Sequence, residues 1–457
     1  MSVLIRGAEV DGRHVDVRLN GPRVVEVGRQ LSWRLNDELV DARGGALLPG
    51  LHDHHVHVLA SAAAVTSVRC GPPDVRDERE LARTLARASP GPDGWLRGID
   101  YHESVAGRLD RYRLDALAPE HPVRVQHRTG ALWVVNSAGV RRLRLEDAPS
   151  FGVDRAADGQ PTGRLWRWDA ELRERLTSSV PDVGRFADLL AGFGVTGMTD
   201  ATPRLSASSA AVLAEAVGRG KIPQHVVALG LDAALPPIST GPWKIVLDDA
   251  ALPPLEDLVV EIRDVHEDHR AVAIHVVTRA SFVLALAALD AAGPLAGDRL
   301  EHGAVIPAEC LAQLAARDLA VVTQPIFVHQ RGDEYLQEVP KSDLPDLFRY
   351  ASLVAAGVRV APSSDTPYGD PDPWKAIAAA RDRMTRSGIE LGIEERIAPA
   401  TVLAGYLSRA DDPGGPARTV SAGAEADLCL LHVPLAVALA SPEAAAVRAV
   451  VRDGAWL

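Results

Sequence analysis

The chain has 457 residues, a formal net charge of −12 and 47% hydrophobic residues. This length exceeds one minimal domain but suits a barrel of roughly 250–400 residues with an accessory domain. The modest negative charge gives no basic patch for nucleic acid or for an anionic membrane surface.

The three cysteines, Cys70, Cys310 and Cys429, lie far apart along the chain. Their spacing fits neither a disulfide framework nor a CxxC site, and it is typical of a protein kept in a reducing compartment. The first residues lack the pattern of a signal peptide, and no run of 18 apolar residues occurs. We therefore expect a cytoplasmic protein without a transmembrane helix.

Both ends of the chain predict short strands separated by turns. At the N-terminal end these are residues 3–6, 15–19, 24–27 and 39–40, and at the C-terminal end residues 426–431 and 446–452. Asp11-Gly12 and Asn20-Gly21 are typical hairpin turns. Because neither end predicts a core of its own, we expect residues 1–48 and 401–457 to form one small β-domain together.

The middle of the chain alternates strand-like and helix-like segments, which predicts an α/β fold with a parallel sheet. Together with the strand inside residues 47–58, the candidate strands are residues 195–200, 225–229, 243–247, 271–276, 299–302, 320–324 and 358–363. Eight strands with helices between them favour a (β/α)8 TIM-like barrel over residues 49–400. Residues 60–185 are too long for one connection, and we expect an inserted subdomain over the barrel mouth.

The stretch Leu47 to Val58 holds four histidines and an aspartate within six positions. In an extended strand, Asp53, His55 and His57 share one face, whereas His52 and His54 share the other. Two imidazoles at i and i+2 on a strand end can chelate one metal ion. The alternative is a polar loop with a chance group of histidines.

Four further residues lie in or just after the candidate strands: Lys244 in the fourth, His275 in the fifth, His302 in the sixth and Asp365 after the eighth. In a barrel the carboxyl ends of the strands meet at one mouth, where active sites are built. Each residue also has a structural alternative: a core histidine, a strand cap, a helix N-cap or a lysine that snorkels outward. Their joint spacing favours a shared site.

Several segments carry a resemblance to a known family. They are residues 49–57, 94–98, 135–137, 194–196, 273–275, 301–302, 324–325 and 364–367. With them the chain resembles metal-dependent hydrolases of the amidohydrolase superfamily, within the branch that includes N-substituted formamide deformylases. The resemblance covers nearly the whole chain and implies a barrel with a small β-sandwich built from both termini.

The resemblance also implies a ligand set. His55, His57 and Asp365 would hold one zinc ion, and His275 and His302 a second, with other divalent metals left open. Lys244, one of only four lysines, would carry a CO2-derived carbamate that bridges both ions, which arginine cannot do. Asp365 would take a proton from a metal-activated water and pass it to the leaving nitrogen.

The expected activity is hydrolysis of a non-peptide C–N bond, an amide or a formamide, in a small-molecule substrate. A deaminase or a cyclic-amide hydrolase on the same metal site is an alternative, and so is an inactive binding or assembly barrel. The chain departs from the family at Gly130-Ala131, Thr278-Arg279 and Trp166-Arg167, which concerns the substrate and not the ligands. The oligomeric state is open, and a homo-oligomer is compatible with the sequence.

The inserted segment and the chain after the seventh strand contain candidate substrate-binding residues. These are His102, Trp133, Trp166, His329 and Arg331. Ligand sites are mostly apolar with a few placed polar groups, so we expect a substrate with an apolar or aromatic group beside the scissile bond. The alternative for each tryptophan is a place in the core of the insertion.

Overall fold

The computed structural model describes residues 2–118, 121–148, 151–176 and 181–457. The chain divides into two compact units: Met1–Leu59 with Val183–Leu457, and Ala60–Asp182. Each described helix is too short or too polar to span a lipid bilayer.

The described part of the chain contains strands in both units. They are β1 (Ser2–Val10), β2 (Arg13–Asn20), β3 (Arg23–Gly28), β4 (Asp37–Asp41), β5 (Leu47–Pro49), β6 (Leu51–Val56), β7 (Val68–Arg69), β8 (Leu96–Tyr101), β9 (Val123–His127), β10 (Leu132–Val135), β11 (Val153–Arg155), β12 (Pro161–Trp166), β13 (Val195–Asp200), β14 (His225–Ala228), β15 (Ser239–Thr240), β16 (Trp243–Val246), β17 (Val272–Val276), β18 (Arg299–His302), β19 (Ala320–Thr323), β20 (Val360–Pro362), β21 (Leu428–Leu431), β22 (Val447–Arg452) and β23 (Ala455–Trp456).

The α-helices fill the connections. They are α1 (Val58–Val65), α2 (Glu78–Arg87), α3 (Glu103–Ala106), α4 (Arg111–Leu117), α5 (Ser137–Leu143), α6 (Asp169–Arg175), α7 (Val183–Gly192), α8 (Ala207–Gly218), α9 (Leu255–Glu267), α10 (Arg279–Ala292), α11 (Leu311–Ala316), α12 (Ile326–Glu338), α13 (Tyr350–Ala355), α14 (Pro373–Asp382), α15 (Pro399–Tyr406) and α16 (Leu435–Ala440). Short 3-10 helices cover Leu145–Asp147, Ala308–Cys310, Leu344–Asp346, Ile393–Glu395 and Ala444–Ala446.

Two parallel sheets form the α/β part of the first unit. Their strand orders are β15-β14-β13-β6 and β16-β17-β18-β19-β20. Backbone hydrogen bonds join the two sheets at both sides: the N–H of Lys244 donates to Leu229 O (3.3 Å), and the N–H of Asp365 donates to His55 O (2.9 Å). The eight predicted strands are present as β6, β13, β14 and β16 to β20, and β15 was not predicted.

Strand β6 is fixed by close packing against β13, its parallel neighbour. His52 Nε2 lies 2.9 Å from Thr199 Oγ1. A Cβ on Gly197 would lie 2.4 Å from His52 Nδ1, so this strand can approach only because position 197 has no side chain. On the same face as His52, His54 Nε2 lies 3.2 Å from Gly405 O. The predicted alternation therefore holds, and His55 points to the opposite face.

Two further sheets of the first unit have the orders β3-β2-β1-β4 and β23-β22-β21-β5. Apolar side chains from both sheets, among them Ile5, Val17, Leu428 and Leu430, share one hydrophobic core. Strand β5 ends one residue before β6 begins, so this core anchors the start of the histidine-rich strand.

The second unit contains a six-stranded sheet with the order β11-β12-β10-β9-β8-β7. Strands β7, β8 and β9 pair in parallel, and the remaining pairs are antiparallel. The sequence predicted helix 80–88 and strand 123–127 here, which are present as α2 and β9. It did not predict the sheet as a whole.

Candidate metal centre

The predicted ligands lie in parallel strands or just after them, most of them towards the carboxyl ends. In strand order, they are His55 and His57 (in β6 and just after it), Lys244 (β16), His275 (β17), His302 (β18) and Asp365 (three residues after β20). The strands of a parallel sheet all run in one direction, so these ends meet at one edge. Residues that span most of the chain length thereby become neighbours.

His55, His57 and Asp365 form the tightest cluster, in which one ligand atom of each lies within 4.8 Å of the others. Asp365 Oδ1 is 3.4 Å from His55 Nε2 and 3.3 Å from His57 Nε2. Two imidazole nitrogens and a carboxylate oxygen thus face one point. These are donors that Zn²⁺ and similar divalent ions take in catalytic sites.

The other predicted histidine pair borders this cluster. The ring centroid of His302 lies 4.5 Å from that of His275 and 4.8 Å from that of His55. His302 Nδ1 is 3.9 Å from Asp365 Oδ2. The structure therefore brings together all four predicted histidine ligands and the aspartate.

Two of these residues have a left-handed backbone conformation: φ is +70° at His302 and +54° at Asp365. Residues other than glycine seldom adopt it, and each instance costs about 1–3 kcal/mol and is typical of functional sites. Neighbouring backbone bonds hold it in place. Gly303 N–H donates to Val276 O (3.0 Å), and Asp365 N–H donates to His55 O.

Hydrogen bonds at Nδ1 orient three of the histidine rings. The pairs are His55 with Glu301 Oε2, His57 with Thr202 Oγ1 (3.2 Å) and His302 with Gln324 Oε1 (2.8 Å). Gln324 Nε2 in turn donates to Ser363 Oγ (2.8 Å), so its oxygen faces His302. An acceptor at Nδ1 keeps the proton there and leaves Nε2 available for a metal.

Lys244 is buried with its amine inside the same site. Its Nζ has no hydrogen-bond partner among the described residues, which is unusual for a buried polar atom. Burial lowers the pKa of Lys244 to about 8, against the opposing effect of Glu301 and Asp365. This amine therefore releases its proton more readily than an exposed lysine.

The charge state of the site suits a metal. Burial lowers the pKa of His55 to about 3 and also lowers the pKa values of His275 and His302, so these imidazoles are neutral. Burial would raise the pKa of Asp365, but the contact with His57 outweighs this effect and lowers the pKa below the usual range. The aspartate is therefore ionised near neutral pH.

The donor set fits a divalent metal on three observations. His55, His275 and His302 are neutral, which is the form that binds metals. Asp365 Oδ1 faces two Nε2 atoms yet makes no hydrogen bond within the described part of the chain. The amine of Lys244 is buried and unpaired there as well. A cation between the imidazoles and the carboxylate would satisfy Asp365 Oδ1, and the amine of Lys244 would have to lose its proton beside it.

Residues 38–457 match the profile of the Amidohydrolase family. The chain belongs to the amidohydrolase family. It is similar to the N-substituted formamide deformylase of Arthrobacter pascens, with 25% identity over 485 aligned residues that cover 91% of this chain and 89% of that protein. This amidohydrolase is an enzyme, a hydrolase of carbon–nitrogen bonds other than peptide bonds, as the sequence predicted.

Two solved structures show the fold. An uncharacterized metal-dependent hydrolase from Pyrococcus horikoshii OT3 superposes with a TM-score of 0.73 at 17% identity, covering 100% of this chain and 99% of that one. N-isopropylammelide isopropylaminohydrolase from Burkholderia multivorans superposes with a TM-score of 0.56 at 17% identity, covering 100% and 98%. The amidohydrolase has the α/β, TIM-barrel-like fold that they share.

The candidate substrate-binding residues of the second unit differ in exposure. Trp133 is buried in a hydrophobic core, and its Nε1–H donates to Asp169 Oδ1 (2.9 Å). This environment favours the alternative that Trp133 fills the core. Trp166 is 45% exposed, and His102 caps helix α3 by accepting from Ser104 N–H. Their predicted roles in substrate binding stay predictions.

His329 and Arg331 both lie on helix α12 of the first unit but face different partners. His329 is exposed, with Nδ1 3.1 Å from Met384 O. Arg331 donates to Tyr368 O (2.6 Å), and the ring of Tyr368 lies edge-on to His57 at 5.5 Å. Arg331 is thus one residue away from the candidate centre.

The departure from the family at Thr278-Arg279 has a structural explanation. Thr278 caps helix α10. The Arg279 guanidinium pairs with Asp343 (3.1 Å) and with Asp346, in the segment between α12 and α13. The substituted arginine therefore fixes this segment and leaves His275, four residues before it, in place.

A second group of potential ligands consists of His225, Glu425 and Asp427. Both nitrogens of His225 are already bonded, Nε2 to Asp427 Oδ2 (2.8 Å) and Nδ1 to Arg452 (2.9 Å). No nitrogen of this histidine remains for a metal, so we assign it to packing between the barrel strands and the C-terminal strands.

The sequence alone predicted no role for Glu301, Gln324 or Thr202, which orient the candidate ligands. Glu301 and Gln324 had appeared only as part of the family resemblance. One signal was available: Arg299 and Glu301 are opposite charges at i and i+2 of one short strand, which indicates a pair on one strand face.

We expect the purified amidohydrolase to contain one to two divalent ions per chain by elemental analysis. His302→Ala and Asp365→Asn should each reduce this content, because they remove donors from the cluster. His225→Ala is the matched control and should leave it unchanged. Equal metal content in Asp365→Asn and the native protein would contradict the assignment.

Proposed function

We propose that this amidohydrolase is a zinc-dependent hydrolase that cleaves an amide or formamide bond of a small molecule by attack of water. The observation that carries the proposal is the cluster of His55, His57 and Asp365 with the unpaired amine of Lys244 beside it. The similarity to a formamide deformylase along most of both chains supports the choice of bond.

The finer architecture is part of the proposal: a closed (β/α)8 barrel over residues 49–400 and a β-sandwich from residues 1–48 and 401–457. The hydrogen bonds that join the two parallel sheets at Lys244 and at Asp365 support closure. The core shared by the strands of both termini supports the sandwich. A position of the insertion over the barrel mouth stays a prediction.

Each residue has a role in the proposed reaction. His55, His57 and Asp365 hold one ion, and His275 and His302 hold a second. Zinc bound there would polarise the substrate carbonyl and lower the pKa of a bound water to about 7. The carboxylate of Asp365 accepts a proton from the attacking water and delivers it to the leaving nitrogen, which departs as an amine.

Lys244 would supply a carboxylate to the metal ions as a carbamate. Its neutral amine forms a C–N bond with CO2 and releases one proton, which leaves a carboxylate in place of an ammonium. The unpaired, buried Nζ supports this assignment because an ammonium would repel the metal ions. A guanidinium cannot undergo the reaction.

The apolar side of the substrate site is proposed to include Val246 and Val277. Val246 lies two residues after Lys244 on the same strand face, and it pairs with His275 in register. Val277 lies two residues after His275. Their side chains are 41% and 36% exposed, which suits contact with an apolar group beside the scissile bond.

The decisive experiment is a product assay. Metal-analysed enzyme is incubated with a panel of N-formyl and N-acyl amines, and acid, amine and ammonia are quantified. We expect equal amounts of acid and amine and a loss of activity on metal removal. Ammonia as the product would indicate a deaminase, and activity of the metal-free protein would contradict the mechanism.

Lys244→Ala should lower kcat at least about 100-fold, because the bridge between the ions is lost. Short carboxylic acids that replace the carbamate should restore part of the lost kcat. Lys375→Ala is the control, since that lysine pairs with Asp370 (2.7 Å). Full activity of Lys244→Arg would rule out the carbamate and favour a mononuclear site.

Arg331→Met should raise KM for an aryl amide about tenfold, since the hydrogen bond that positions Tyr368 beside His57 is lost. His329→Gln is the matched control on the same helix, and we expect less than about a twofold change because His329 faces Met384. A larger rise in KM for His329→Gln than for Arg331→Met would indicate that His329, and not Arg331, supports substrate binding.

A further inference from the structure

Arg299, Glu301 and His55 form a continuous buried chain of hydrogen bonds. Arg299 Nε–H donates to Glu301 Oε1 (2.7 Å), and Glu301 Oε2 bonds His55 Nδ1. All three side chains are at most 1% exposed. The chain ends at the ligand whose Nε2 faces Asp365.

We propose that Arg299 and Glu301 are positioning residues that fix His55 with Nε2 as its metal-binding atom. The proposal rests on the proposed metal-dependent function and names the residues that set the metal affinity of that site. Neither residue touches the substrate, so both act through His55.

Glu301 is unsuited to bind the metal itself, because each of its oxygens already accepts a hydrogen bond. A carboxylate at Nδ1 keeps the proton on that nitrogen and makes Nε2 a stronger donor to a cation. The glutamate therefore decides which nitrogen of His55 is free.

Arg299 keeps Glu301 ionised and in the orientation that bonds His55. A fully buried carboxylate without a cation would take up a proton or turn towards the metal. The fixed Nε–H of the guanidinium occupies Oε1 and supplies the opposite charge. Arg299 and Glu301 are two residues apart on β18, so one strand face carries both members of the pair.

The hydrogen-bonded series Arg299–Glu301–His55 also connects the two parallel sheets. His55 belongs to β6 of one sheet, whereas Glu301 and the ligand His302 belong to β18 of the other. One strand thus supplies a metal ligand directly and holds a second ligand through its glutamate. The relative position of the two imidazoles is then set by β18.

The test measures the Zn²⁺ affinity of metal-free protein by competition with a chromogenic chelator. Glu301→Gln should weaken binding about 10–100-fold. The carboxamide has one oxygen for two donors, so either His55 or Arg299 is left unpaired. The double variant Arg299→Met/Glu301→Gln should bind more tightly than Glu301→Gln, because the amide oxygen can then serve His55 alone.

Glu301→Asp is the second variant in case Glu301→Gln does not fold. It keeps the charge but withdraws the carboxylate by one methylene, and we expect a loss of at least about tenfold. Asp37→Asn is the structural control. It breaks the buried Arg18–Asp37 pair of β2 and β4, and it should lower the thermal midpoint without changing Zn²⁺ affinity.

Native affinity in both Glu301 variants, or a double variant weaker than Glu301→Gln, would overturn the positioning role. An equal loss of Zn²⁺ affinity in Asp37→Asn would also overturn it, because the loss would then result from lower stability of the protein. A native protein that binds no Zn²⁺ would instead contradict the proposed function, so the two failures are distinguishable.

Discussion

The imidazole of His55 is held between two buried carboxylates, Glu301 at Nδ1 and Asp365 facing Nε2. Carboxylates in such a place remain ionised only when cations or donors surround them. Arg299 does this for Glu301: its charge and the hydrogen bond from His55 outweigh the effect of burial and lower the pKa of Glu301 well below the usual range. The imidazoles of His55 and His302 beside Asp365 are neutral, which leaves room for a metal cation to balance the charge of Asp365.

This constraint depends on the backbone of strands that are distant in sequence. The N–H of Asp365 donates to His55 O, and that of Gly303 donates to Val276 O. These bonds hold Asp365 and His302 in a left-handed conformation that each would otherwise avoid. The strand that carries His55 is in turn held by the packing of β6 against β13, where Gly197 lets His52 approach. The geometry of the candidate ligands therefore depends on how the strands pack.

The sequence predicted the strands of the first unit well because they depend on local pattern, and it proposed the ligands from the same pattern. Apolar runs with period 2 or continuous burial marked β13, β17 and β19, and His55, His57, His275, His302 and Asp365 followed from their places at strand ends. The supporting residues did not follow in this way. Glu301 reads as one charged residue in a strand, and only the register with its neighbours shows that it meets His55, 246 positions earlier. The sequence also did not predict the sheet of the second unit, because a local pattern does not show which strands pair. Its strand order is β11-β12-β10-β9-β8-β7.

The departures from the family pattern indicate how this site can change substrate without losing its metal donors. Arg279 lies in one of the segments that depart from the family, and it pairs with Asp343 and Asp346 between α12 and α13. Thr278 caps α10 through its own side chain, so the helix still begins directly after β17. His275 sits inside the strand, where its position depends on pairing with β16 and β18 and not on the residues that follow. Strand pairing fixes the position of the candidate ligands, whereas the residues that follow each strand begin the next helix. Substitutions in those following residues can therefore change the surroundings of the site without moving the metal donors.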